Sequence, residues 1–370
     1  MLITVQSANK KDNGYVSLAG TLAVMEVLKT HKKTLVLQFT NASKKNVETV
    51  LLGQEIKSLI AEENTAISNE GMDNLINTAE NGKLTADEFK SYCRDVIVSH
   101  DDTLLAVAKV STKATFLNEL EKREDSVKSL IENAKEMYEN VIVTVSNDNV
   151  EIKELLNNMA DVSLFCVSQG DTKATLMGKN PKVVITKYDS DSVFDIKTVA
   201  KNLDVKRSDV YKIERTTAYI DAILKQDVAS FIKANKSNEQ GDVNYLWYED
   251  TIKVVSLWCP DLASDTKEDI YDSLEFVSYF DNEDEEDIDE EDLKDVASVK
   301  VENVEVKKGL FKKEIVEKVV LSTSEETETD IEEDDEEPDA DMEDENDGND
   351  GGTDYEFNKE TRVFAETIGE

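Results

Sequence analysis

Cysteine, histidine and long apolar runs are all scarce in this chain, and so is positive charge. The three cysteines, Cys93, Cys166 and Cys259, are widely spaced and odd in number. They form no disulfide framework and lack the paired spacing of a zinc site. Cys166 lies in the apolar run from Val162 to Val167 and reads as a small buried hydrophobe, so a reducing cytoplasm is the simplest setting. Of the two histidines, His31 follows the first helix and reads as a partner of its C-terminal dipole. His100, beside Asp101 and Asp102, reads as a loop residue, so neither a Ser-His-Asp nor a Cys-His catalytic group has support. No segment reaches the roughly 18 apolar residues that cross a bilayer. The run Met1 to Val5 has no basic region before it and no cleavage site after it, so no secretory signal is expected. The expected location is cytoplasmic.

What the chain does have is acid, 81 Asp and Glu against 42 Lys and Arg. The imbalance is uneven. Up to Phe280, 33 cations stand against 44 anions, a net charge of −11; beyond it, 9 stand against 37, a net of −28. The first part can bury a sizeable core, whereas most of the second cannot offset its ordering entropy. The expected organisation is a folded domain over residues 1–280, an acidic linker over 281–297, a short ordered island over 298–322, and an acidic disordered tail over 323–370. That tail ends in a small apolar peptide with Tyr355, Phe357 and Phe364 as candidate partner-binding anchors. A folded part without excess cations predicts no nucleic-acid partner. Asp281 begins like an EF-hand loop, but Glu286 stands where the loop needs glycine, so no metal site is expected. Lys307 to Val320 is the only basic island of the tail. Acidic runs on both sides would repel anionic lipid, so no membrane contact is expected.

The periodicity points to an α/β fold. Leu2 to Val5 reads as a buried strand, Ser7 to Gly14 as a polar loop, and Val16 to Lys29 as a helix apolar on nearly every side. Thr34 to Phe39 reads as a second continuous apolar strand, which together make a βαβ unit of a parallel sheet. Further strands are expected at Leu104 to Val107, Val141 to Val145, Val162 to Val167, Val183 to Thr186 and Val210 to Ile213. Helices are expected at Asn118 to Tyr138, Glu151 to Met159, Asp195 to Leu203 and Ala218 to Ala234. Val47 to Ser99 reads as a less regular helical insertion. The fold class is a doubly wound, mostly parallel sheet of the P-loop NTPase type, with Leu2–Val5, Thr34–Phe39 and Val141–Val145 as central parallel neighbours.

In such a sheet ligands bind at the carboxyl ends of the strands. A phosphate loop after the first strand needs several glycines, a Lys, and a Ser or Thr for Mg²⁺. The loop Gln6 to Val16 has one glycine, Gly14; Tyr15 stands near the Lys or Thr position, and Asp12 would repel phosphate. Even so, the order of elements resembles the ParA/MinD group of deviant-Walker ATPases, which includes the CpaE-like proteins of pilus assembly. Met1 to Asn41 follows that family's plan of strand, K-G-G-x-G-K-T loop, apolar helix and strand. Tyr138 to Ser146 resembles its Y-D-x-V-I-I-D-T-P segment, Met159 to Val167 its A-D strand, and Val183 to Tyr188 its v-v-i-N-K strand. Tyr211 to Ile213 and the helix after it resemble the segment that in the family lies near the adenine.

The departures from that pattern set the functional expectation. The loop glycines and the signature Lys-Thr pair are missing, Gln38 to Asn41 lacks the acid that ends the second strand, and the Walker-B-type Asp aligns with Thr144. An ATPase needs a cation at the phosphates and carboxylates that hold Mg²⁺. The resemblance therefore implies a degenerate member: a non-catalytic interaction or scaffold protein serving an active relative or a pilus, secretion or partition machine. No catalytic residue and no cofactor are expected, and the family's dimeric habit is left open. The alternative is a divergent ATPase with an unusual loop, in which Lys10, Lys11, Asn13 and Gly14 retain some ATP binding.

Overall fold

The computed structural model describes residues 1–53, 56, 60, 71–82, 84–100, 102–113, 115–225, 228–235, 241–263, 274–277, 300–308 and 312–320. The chain divides into two units, Met1–Glu283 and Asp284–Glu370. The strands of the first unit are β1 (Leu2–Ser7), β2 (Thr34–Phe39), β3 (Cys93–Ser99), β4 (Asp102–Ala108), β5 (Asn140–Val145), β6 (Val162–Val167), β7 (Pro181–Tyr188), β8 (Val210–Glu214) and β9 (Glu275–Phe276). They form one sheet in the order β8-β7-β6-β1-β5-β2-β4-β3-β9. Every pairing from β8 through β4 is parallel, and β3 runs antiparallel to both β4 and β9. The three expected central strands are neighbours: Ile3 faces Ile142, and Val36 faces Ile142 from the other side.

The helices lie on both faces. They are α1 (Tyr15–Thr30), α2 (Val47–Leu52), α3 (Met72–Asn81), α4 (Ala86–Ser91), α5 (Phe116–Leu120), α6 (Glu124–Met137), α7 (Val150–Met159), α8 (Ile196–Asn202), α9 (Thr217–Lys225), α10 (Val228–Asn235) and α11 (Val243–Val255). Side chains alternate across the pleat. Ile3, Val5, Val36 and Ile142 therefore pack with α1 and α11, whereas Leu2, Leu35, Leu37, Val141 and Val143 pack with α6 and α7. Each such side chain, removed from water, stabilises the fold by about 1.5–3 kcal/mol. Helix α1 is buried from Tyr15 through Leu28, which is why it carries no polar face. It stops at His31, whose left-handed backbone (φ 57°) lets its N–H donate to Val27 O at 2.9 Å.

Several elements differ from the sequence reading. Residues 93–99, expected within a helical insertion, form the antiparallel strand β3. Its Arg94 and Asp95 break the apolar pattern, but Arg94 is buried because Glu48 of α2 accepts from its Nε at 2.5 Å. The expected helix from Asn118 to Tyr138 is two, α5 and α6, since Phe116, Leu117 and Leu120 turn inward before the charged step at Glu121–Arg123. The expected helix from Ala218 to Ala234 is likewise two, α9 and α10, and α11 was not anticipated.

In the second unit β10 (Lys300–Lys308) and β11 (Lys312–Val320) pair as an antiparallel hairpin, with Val304 opposite Val316. Most of the basic island therefore lies in strand β11, as its β-branched content favours. No helix among the described residues is long and apolar enough to cross a membrane.

Candidate functional site

The carboxyl ends of β1, β6, β7 and β8 surround the loop Ala8–Gly14 and the start of α1. The loop's own side chains fill it. Asn13 is buried, and its Nδ2 donates to Ser7 Oγ at 3.2 Å, Asn9 Oδ1 at 3.1 Å and Cys166 O at 3.1 Å. Asp171, in the loop after β6, accepts from Ser168 N at 2.9 Å, Asn9 Nδ2 at 2.8 Å and Lys11 Nζ at 2.9 Å. Burial works against that carboxylate, but the Ser168 N–H, Lys11 and Asn9 hold it below the usual range. Thr186 of β7 closes the far side by donating to Asn13 O at 2.6 Å.

A buried polar column under β1 supports the loop from behind. Thr4 and Gln6 both donate to Asn157 Oδ1 of α7, at 2.8 and 2.6 Å. One turn earlier on α7, Lys153 Nζ donates to Ser7 O and Asn147 Oδ1, each at 3.1 Å. Burial holds its ammonium below the ordinary lysine range.

The expected site residues are therefore partly assembled. Lys11, Asn13 and Gly14 meet in this network, with Gly14 left-handed at φ 74° and its N–H bonded to Asp12 Oδ1. Lys10 is exposed. Tyr15 turns into the core, where burial and Asp12 push its phenol up. Thr144 is buried on β5 opposite Gln38. Gln38 donates to Ala108 O at 2.9 Å and accepts from Val47 N at 2.7 Å, so the end of β2 is committed to structure. Among the described residues no three His, Cys, Asp or Glu gather as metal ligands. Tyr355, Phe357 and Phe364 lie outside the described residues.

With this geometry in view, the chain was compared with known proteins. No family model matches it, and no curated protein does. Solved structures do. A ParA family ATPase from Chlorobium tepidum is similar at 12% identity over 69% of this chain and 98% of that one, with a TM-score of 0.48. The pNOB8 ParA is similar at 12% over 72% and 99%, TM-score 0.49. MinD in the MinC:MinD cell division complex of Aquifex aeolicus is similar at 12% over 69% and 96%, TM-score 0.43. The structural neighbours are ParA/MinD family ATPases. At such identities the likeness is one of fold.

The sheet opens into a cavity of about 220 Å³ between α1, β8, α9 and α11, with Asp12 and Gly14 of the loop in its lining. Tyr219 and Trp247 stack within its wall, ring centroids 4.6 Å apart. Lys45, Lys187 and Arg215 stand at its mouth.

Asp171, Lys153, Lys45 and Arg215 were all missed by the sequence reading. Asp171 had a usable signal: it follows the apolar strand β6 in a polar turn, the same strand-end position that drew attention to the first loop. Lys153 had a weaker one. It and Asn157, four residues apart, make a polar stripe beside the apolar pair Ile152 and Leu156 on one short helix.

Proposed function

We propose that this chain is a non-catalytic ParA/MinD-like protein that works by binding a protein partner: an active ATPase relative, or a pilus, secretion or partition machine. One observation carries the reading. The loop where the resemblance places the phosphates is packed with its own polar side chains: Asn13 donates to Cys166 O, Asp171 accepts from Lys11, and Lys153 donates to Ser7 O. A triphosphate entering would have to break these buried bonds and approach Asp12, with no carboxylate at Thr144 to hold Mg²⁺. The acidic tail suits the same role. Its field attracts basic partners, and Tyr355, Phe357 and Phe364 supply apolar anchors at its end.

The alternative, a divergent ATPase, draws on the helix α1 N-terminus, where no side chain caps the helix and no acid stands in the first turn. Lys11 pairs with Asp171, whereas Lys10 makes no ion pair among the described residues. Calorimetric titration of the full chain with Mg-ATP and Mg-GTP, alongside phosphate-release assays, separates the two readings. The expected result is no hydrolysis above background and no change in the Lys10→Ala/Lys11→Ala variant. Turnover that disappears in that variant overturns the proposal.

A further inference from the structure

The hairpin of the second unit pairs compatible residues along its body and like charges at its closed end. Val301 stands opposite Val319, Val304 opposite Val316, and Glu302 opposite Lys318. At the other end the register sets Lys307 opposite Lys313 and Lys308 opposite Lys312. Like charges directly opposite, about 5 Å apart, weaken a hairpin, and a two-stranded sheet is marginal to begin with. Among the described residues β10 and β11 make that sheet alone. Only 9 cations stand against 37 acids beyond Phe280, and these four lysines are among them. Scarce positive charge is thus gathered at one place, where strand pairing gains nothing from it.

The register also says what shape of anion fits. Residues alternate between the faces of a strand, so Lys307 and Lys313 belong to one face and Lys308 and Lys312 to the other. A flat anionic surface would meet one pair and leave the other, whereas a flexible polyanion can pass around the end and meet both. One polyanion is already attached. Strand β11 ends at Val320, and from there back to Lys312 is about 27 Å at about 3.4 Å per residue. A chain turning back after Val320 covers that distance in about eight extended residues, with about two more for the turn. It comes level with the lysines at about residue 330. Residues 330–337 hold seven carboxylates in eight positions. At the matching distance before β10, residues 287–294 hold five carboxylates and also Lys294.

We propose that residues 330–337 fold back onto the closed end of the hairpin and pair with Lys307, Lys308, Lys312 and Lys313, shielding that end from anions outside the chain. A tether of about ten residues sets an effective concentration in the millimolar range, which a free polyanion has to exceed or outbind. The inference concerns the second unit alone and stands whether or not the first unit turns over nucleotide. To test it, the full-length protein is kept dilute and treated with a water-soluble carbodiimide, which joins a lysine amine to a carboxylate in contact with it. Mass spectrometry then reads the linked peptides. Links within one chain from the four lysines to residues 330–337 are expected at about 0.01 M salt and should be lost at about 1 M, where the Debye length is about 3 Å. Links chiefly to residues 287–294, links between chains, or a yield that salt does not change would overturn the proposal. Inorganic polyphosphate, titrated at about 0.15 M salt, reads the shielding. Replacing each Asp of residues 330–337 by Asn and each Glu by Gln should tighten its binding at least about tenfold, as for one or more freed charge-assisted contacts. The same replacement of the seven carboxylates in residues 339–350 changes the net charge equally. It should tighten binding less than about threefold, since those charges lie beyond a Debye length of about 8 Å from the lysines. Equal gains from the two variants would overturn the proposal, as would a gain that survives Lys307→Gln/Lys308→Gln/Lys312→Gln/Lys313→Gln.

Discussion

Replacing Asp171 with alanine tests whether the first loop is held shut by the network described above. The carboxylate, with a side chain 3% exposed, receives four donors: Ser168 N, Asn9 Nδ2, Lys11 Nζ and, at 3.4 Å, Asn13 Nδ2. These do not count equally. The Lys11 side chain is 71% exposed and returns to water when released, so its share is small. The Asn13 contact is long. Ser168 N–H and Asn9 amide remain, both partly buried, and each bond to a charged acceptor contributes about 1.5–3 kcal/mol. Partial rescue by water lowers the sum, giving an expected loss of about 2–4 kcal/mol for Asp171→Ala. Lys11→Ala should cost under about 1 kcal/mol. Urea unfolding followed by tryptophan fluorescence reads this directly, because both tryptophans, Trp247 and Trp258, are buried in the same unit. The reasoning is refuted if Asp171→Ala loses less than about 0.5 kcal/mol, the ordinary range of a surface substitution, or if Lys11→Ala costs as much as Asp171→Ala.

Two further predictions concern charges buried away from the loop. Arg94→Ala leaves Glu48, fully buried, without its guanidinium, and should destabilise the protein by about 3–5 kcal/mol in the same unfolding assay; a cost under about 1 kcal/mol would show that the pair is not the tie between α2 and β3. Glu26, inside α1, is also fully buried. Burial raises its carboxyl, against hydrogen bonds from Cys259 and Asn140 and the nearby charge of Lys32, which work the other way. An acid raised on folding costs stability as pH climbs above its unfolded value of 4.5, until the folded group ionises as well. Glu26→Gln should therefore gain on the unaltered protein as pH rises through that window, and parallel stability curves from pH 5 to 8 would contradict this.

The alternation of apolar strands with apolar or amphipathic helices decided the layers of this fold from the sequence alone. Leu2–Val5, Thr34–Phe39 and Val141–Val145 have continuous apolar runs because both faces of their sheet are covered, and they are adjacent and parallel as that pattern requires. That the first loop holds a single glycine, and that Thr144 is not an acid, was equally legible, since each is a matter of residue type at a strand end. Strand β3 was not legible. Arg94 reads as a surface residue until Glu48, 46 positions away, is brought beside it. The closed loop was hidden for the same reason. Lys11, Asn13, Lys153 and Asp171 come from three separate stretches of chain, and nothing local to any of them announces the others. Backbone pattern is a short-range property and survives in one dimension. The pairing of buried polar groups is long-range, and only the tertiary structure decides which donor meets which acceptor.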